Sequence, residues 1–387
     1  MKRVYVFFAA FICCMAAFSA ESSDTAVASV DSTSVEEHPG LIKRIINYFA
    51  NANKQNDDGG FDFSVIGGPH YSSDSKLGVG IVAAGTYRTA RDSGYTKLSN
   101  VSLYGDATTA AHFKLGIRGE NYFPQNKYRI IYDIAFSSIE TKYWGIGYAQ
   151  CHNDANESKY RYLAARVNGN FYRRLGESFF IGPMVTVDYI NGRHFEHPAL
   201  WDGQPLHTFN WGIGLSAAYD TRDCTTDCEH GILVRIDQYF DPSWLGNRYA
   251  FSVNEFTTAW FNPLWRGATI ATRLHWRMTW GNTPWGAMST IGGSDNMRGY
   301  FEGRYRDKSE IDLCVELRQH VWHRNGFVLW AGAASVFPRI GDIKFKQILP
   351  NWGIGYRWEF KKRMNVRVDL GFGRHQTGFI FNINEAF

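Results

Sequence analysis

Nowhere in its 387 residues does the chain hold the ~20 consecutive apolar residues that a membrane-spanning helix needs. Beyond residue 60 no 3.6-residue hydrophobic period survives for two turns. These two absences exclude a helical membrane protein and count against an ordinary α/β domain. A charge excess is missing too. The net charge of +4 is small for this length and gives no footprint for nucleic acid. Cysteine is scarce, with six in the chain. Cys13 and Cys14 lie in the leader described next, which leaves Cys151, Cys224, Cys228 and Cys314.

The N-terminus reads as an export signal. Lys2 and Arg3 supply the charged start, Val4 to Ala17 the apolar run, and Ala17-Phe18-Ser19 or Ala20-Glu21-Ser22 the small-residue cleavage site. Residues 1–20 are therefore expected to be removed on export. Residues 21–60 follow as a polar lead, a short amphipathic helix at Leu41 to Ala52 and the linker "NKQNDDGG". The helix carries Leu41, Ile42, Ile45, Ile46 and Phe49 on one stripe. It has two readings, a plug in a lumen or a helix lying on the membrane surface with Lys43 and Arg44 toward head groups.

What is abundant points elsewhere. Aromatic residues make up 16% of the chain, there are 38 glycines, and mean hydropathy is only −0.31. Apolar and polar residues alternate almost throughout 61–387. Tyr128, Ile130, Tyr132, Ile134 and Phe136 share one face while Arg129 and Asp133 take the other. Ile232, Val234 and Ile236 oppose Arg235 and Asp237; Ile354, Tyr356, Trp358 and Phe360 oppose Gly355, Arg357 and Glu359; Val366, Val368, Leu370 and Phe372 oppose Arg367, Asp369 and Gly371. Period-two alternation with Arg and carboxylates on the inner face fits lipid outside and a polar lumen inside. With ~9–11 residues per spanning strand, this region makes an all-β, transmembrane antiparallel barrel of about 16 strands. The chain closes on "TGFIFNINEAF", which places Phe379, Phe381, Ile383 and the terminal Phe387 on one face. Phe387 is read as an outer-membrane assembly signal, the alternative being a girdle aromatic. Export plus such a barrel implies the bacterial outer membrane, with its lipid as a partner.

The stretch "IGGSDNMRGYFEGRYRDK", Ile291 to Lys308, is polar and turn-rich. It precedes a strand, Ile311 to Val321, whose Asp312, Glu316, Arg318 and His320 face inward. A loop of this kind can fold into the lumen, where the guanidinium of Arg298 and the Glu316 carboxylate would pair.

Met297-Arg298-Gly299-Tyr300 resembles the (V/I)RG(F/Y) signature of the BamA/TamA family, the bacterial surface antigen barrels. "GIGLSAAYDTRDCTTDCEHG" resembles that family's strand ending in a D-T-R-D turn, here Asp220, Arg222 and Asp223 with Thr221 between. "VELRQHV" resembles the strand after the inward loop, and "GIGYRWEFKKRMNVRVDLGFG" the hairpin before the last strand. All four lie in the C-terminal half, in the family's order. The resemblance implies an inward sixth loop, with Arg298, Gly299 and Tyr300 locked to an acidic wall at Glu316. It further implies a part in outer-membrane protein assembly or translocation, with assembly partners. The alternative is a passive pore or surface-exposed structural barrel. Two departures stand out. The strand "GFVLWAGAASVF" has no carboxylate near Trp330-Ala331-Gly332, where the family brings a second acidic partner, so Glu316 is expected to act alone. About 40 residues lie between the leader and the first strand, too few for a periplasmic POTRA domain, so a stand-alone barrel is expected.

The remaining signals are weaker. Cys224 and Cys228 admit a short-loop disulfide, a metal site with His230, or free thiols, the disulfide being favoured in an oxidising compartment. His194 and His197 have no evident third ligand. Ser137, Ser138 and His152 are residues that any barrel this size contains. Neither catalysis nor a cofactor nor a metal is expected.

Overall fold

The computed structural model describes residues 62–72, 74–89, 96–97, 99–201, 203–361, 363–383 and 385–387. The expected leader, the helix at 41–52 and the linker lie outside them.

Alternating residues become strands because each pleat sends its neighbours to opposite faces. The strands are β1 (Asp62–Ser72), β2 (Lys76–Tyr87), β3 (Ser99–Thr108), β4 (Phe113–Tyr122), β5 (Tyr128–Tyr143), β6 (Ser158–Arg174), β7 (Phe179–Arg193), β8 (His207–Asp220) and β9 (Gly231–Asp241). There follow β10 (Phe251–Trp265), β11 (Ala268–Gly281), the two-residue β12 (Ser289–Thr290) and β13 (Arg306–Asp307), β14 (Ser309–Trp322), β15 (Asn325–Phe337), β16 (Leu349–Lys361), β17 (Met364–Gly373) and β18 (Gln376–Ile383). Sixteen of them close into one antiparallel barrel, in which each pairs with its sequence neighbour, β11 pairs with β14, and β18 returns to β1. The expected strands are present and most run longer, the one expected at 128–136 continuing to Tyr143 and the one at 311–321 spanning Ser309–Trp322, while the closing strand stops at Ile383.

The outward face is apolar and bare of protein. Val79, Ile81, Leu103, Leu115, Ile213, Leu215, Leu329 and Ile354 are all exposed large hydrophobics. In a bilayer, lipid covers these rows. Exposed tryptophans mark both rims. Trp265 and Trp322 lie where strands meet at tight turns, and Trp280 and Trp352 lie at the end with the long loops. Short turns face the periplasm in such barrels and long loops face outward, which orients this one. The inner face is charged, so the interior holds Arg298, Arg367, Glu310 and Glu316 among its most deeply buried large side chains. His320 ends this inward row, exposed beside the turn and against the His323 carbonyl, and the ladder shifts register only after it.

Candidate functional site

The connection from β11 to β14 is the longest described loop, and it is packed. The β12–β13 ladder closes its base. Within it, Ile291 N–H donates to Tyr305 O, Gly303 N–H to Ile291 O, and Gly293 N–H to Tyr300 O. Ile291, Met297, Tyr300 and Tyr305 are buried together with Trp144, Cys151, Val336 and Leu349. Its tip enters the barrel, as the turn-rich, charged sequence allowed, but it is anchored by apolar side chains rather than left loose.

At the tip the backbone approaches the wall closely. Gly299 has φ +113°, and a Cβ there would sit 2.8 Å from Gly371 C and Phe372 N. A Cβ on Gly371 would meet Arg298 O at 2.5 Å, and one on Gly378 would meet Gly299 Cα at 3.0 Å. Glycines on three segments thus make a trough in β17–β18 that only a bare backbone can enter. The Asn351 amide donates to Arg298 O at 3.1 Å. Tyr300 finishes the seat: its hydroxyl donates to Pro350 O at 2.7 Å and accepts from Arg374 N–H at 2.8 Å.

This seat aims the Arg298 guanidinium at two carboxylates. It pairs with Glu316, as expected, and its Nη1 donates to Asp369 Oδ2 at 2.7 Å. The expectation that Glu316 acts alone is therefore corrected. A second acid is present, but it comes from β17 because the tip lies across that strand. Trp330, standing where the carboxylate was missed, stacks its ring under the guanidinium at 3.8 Å. The three charges are at most 1% exposed. Buried charges persist only when paired, and here the pairing closes on itself. Glu316 Oε2 accepts from Arg318 Nε at 2.9 Å, Arg318 lies 4.0 Å from Glu385, Glu385 accepts from Arg357 Nε at 2.8 Å, and Arg357 Nη1 donates to Asp369 Oδ1 at 2.6 Å. Three arginines and three carboxylates alternate in one neutral ring through the lumen. Arg318, Arg357, Asp369 and Glu385 were not singled out from sequence, although inward alternation had placed Arg318, Arg357 and Asp369 on the right face.

Asp220 and Asp223 do separate work at the β8–β9 turn. Asp220 holds Arg222 in a fork, at 3.0 and 3.1 Å, with Arg129 behind it at 3.6 Å. Asp223 gathers the turn, accepting from the backbone N–H of Glu229 and of His230 and from the Cys228 thiol, and it pairs with Arg363. Cys224 and Cys228 are free thiols in the structure, which differs from the favoured disulfide. The Cys228 hydrogen goes to Asp223, and Cys224 meets the Thr226 hydroxyl at 3.3 Å.

Phe387 is a further correction. It does not continue the outward face of β18. The strand ends at Ile383, and the last residues turn inward. The Phe387 ring lies 6.2 Å from that of Phe261, with Arg318 over it at 5.2 Å, and its carbonyl oxygen accepts from Arg318 at 2.9 Å. The reason is electrostatic: Glu385 is drawn to Arg357 and Arg318, and it carries the ring after it.

Among the described residues, His275, Glu310 and Asp312 are the one grouping whose ligating atoms converge, within 4.8 Å. Arg273 already grips both oxygens of Asp312, at 3.0 and 3.2 Å, and His275 bridges the carboxylates. Ion pairing accounts for the cluster. His194 and His197 are both exposed, and His152 meets the Tyr305 hydroxyl.

Comparison with known proteins agrees with this architecture. The Omp85 superfamily domain matches residues 99–387. Among solved structures, BamA from Haemophilus ducreyi lacking POTRA domains 1–3 aligns with TM-score 0.56 at 13% identity, over 83% of this chain and 70% of that one. CdiB from Acinetobacter baumannii aligns with TM-score 0.51 at 11% identity, over 84% and 65%. CdiB from Escherichia coli aligns with TM-score 0.52 at 8% identity, over 88% and 70%. The chain thus spans 65% to 70% of the length of these relatives. No curated protein matches by sequence.

Proposed function

The chain belongs to the Omp85 superfamily of outer-membrane barrels, and from that premise we propose that it moves other polypeptides into or across the outer membrane. The work is physical, not enzymatic. The seam between β1 and β18 opens, and a client strand pairs with the freed edges.

The observation that carries this reading is the filled lumen of a barrel of this superfamily: Arg298 holds the inward loop to Glu316 and Asp369, and the tail turns in to Arg318, so passage runs through the wall and not down an open channel. β1 and β18 meet with Ser72 opposite Ile380. Once opened, the two edges would present backbone N–H and C=O groups to an incoming strand. The inward loop touches both sides of the seam, Phe301 N–H donating to Gln376 Oε1 of β18 at 2.9 Å and Glu302 N–H to Asp74 Oδ2 of the β1–β2 turn at 2.9 Å, so opening would release the Asp74 contact. Delivery of the client from the periplasm falls to an assembly partner.

A passive pore is the rival. Its lumen would have to stay open, whereas here the inward loop and the inward tail both occupy it.

The deciding experiment pins the seam. With the native cysteines replaced, Ser72→Cys and Ile380→Cys are combined and oxidised in cells. Loss of client insertion or export, restored by reductant, is the expected result. Unchanged client handling with the crosslink formed would overturn the reading and favour the pore.

A further inference from the structure

The turn between β8 and β9, residues 221–230, and the tail 385–387 meet at the periplasmic end. They start from opposite points of the ring: β1–β8 fill one side between them, and β9–β11 with β14–β18 the other, eight strands each way. Two segments that come from opposite points of one rim and touch must cross the mouth.

The contacts are specific. Glu385 N–H donates to Thr226 O at 3.4 Å. The Asn365 amide donates both to Asp227 Oδ2, at 3.1 Å, and to Glu385 Oε1, at 2.9 Å, so one side chain clasps turn and tail together. Arg363, in the β16–β17 turn, pairs with Asp223, donates to Asp227 O at 3.3 Å and reaches Glu229 at 3.4 Å. The Thr226 hydroxyl donates to Arg363 O at 2.6 Å. Cys228 is buried beside Phe261 in the apolar patch that Phe387 joins.

We propose that the 221–230 turn and the 385–387 tail form a strap that shuts the periplasmic mouth of the barrel. Through Glu385 the strap is keyed to the inward loop. Glu385 is a member of the charged ring that holds Arg298 and at the same time a partner of Asn365 in the strap. Release at one end of the lumen therefore weakens the other. The inference does not depend on any client and stands or falls apart from the seam.

Its test is single-channel conductance of the purified full chain in planar bilayers. Wild type is expected to stay mostly closed. Arg363→Ala should raise the open fraction roughly tenfold, the shift that corresponds to about 1.4 kcal/mol. Glu385→Gln should do the same and also speed proteolysis within residues 291–308, which Arg363→Ala should affect less. Heat-modified gel mobility checks that each variant is folded. If Arg363→Ala is not, Asp223→Asn, which keeps the shape and removes the charge, takes its place. Steady wild-type conductance, or folded variants that conduct like wild type, would overturn the proposal.

Discussion

Asp369 accepts the Arg298 guanidinium at 2.7 Å, 71 residues along the chain from it, and receives Arg357 on its other oxygen at 2.6 Å. One carboxylate thus serves the loop with one atom and the wall with the other, and it joins the inward loop to the last strands of the barrel.

Arg298→Ala leaves Glu316 and Asp369 buried without their shared partner. Removing one member of a buried pair costs about 3–5 kcal/mol. The folded barrel should lose heat resistance on a gel by many degrees. Unchanged heat resistance with normal membrane levels would refute the lock.

Glu316→Gln and Asp369→Asn should each weaken the lock, and the two effects should not add, because both act through one guanidinium. A double-mutant cycle on the melting midpoint checks this. Additive losses would mean that Arg298 engages only one of them.

Gly299→Ala tests the trough apart from charge. At φ +113° an L side chain is strained, and its Cβ would press on the β17 backbone. Protease should then cut the 291–308 loop in otherwise folded barrels. Protection equal to wild type would show that the trough yields.

Asp74, in the β1–β2 turn, accepts from Glu302 N–H at 2.9 Å. Burial pushes its carboxyl up to about 6, above the roughly 3.9 of an unfolded aspartate. The folded state therefore binds the proton more tightly, and stability should increase as pH falls from above 6 toward 4. Asp74→Asn should stabilise the barrel at pH 7.5 and flatten that segment of the profile. Melting curves from pH 4 to 8 decide it, and an unchanged profile in the variant would rule Asp74 out.

The two cysteines of the strap should differ in reactivity. Burial pushes the Cys228 thiol up to about 12, helped by the neighbouring Asp223 carboxylate. Burial also raises Cys224, but the Thr226 hydroxyl and nearby backbone N–H groups outweigh it and hold this thiol below the ordinary value. Maleimide should label Cys224 first, as its thiolate is the more populated. Labelling of neither until reductant is added would reveal a disulfide instead.

Much of this was legible from local pattern. Alternation is a local property, so Arg129, Arg235, Asp237, Arg357 and Asp369 could be assigned to the inner face one strand at a time. The Met297-Arg298-Gly299-Tyr300 tip and its Glu316 partner sit 18 residues apart and were read together. What escaped lies between strands distant in sequence. The glycines at 371 and 378 look like ordinary strand glycines until the loop backbone is laid on them. Trp330 reads as a lost carboxylate until its ring is seen under Arg298. Phe387 keeps the β18 phase in sequence, but its phase has no force once the strand has ended.

The sequence by itself determined the class of barrel, its facing and its inward loop, because period-two hydrophobicity and a turn-rich insert act through the nearest neighbours of each residue. The tertiary structure alone decided which buried charge meets which. Pairing across a lumen depends on where strands from opposite walls come to rest, and a buried ion settles on whichever counter-ion lies within reach there.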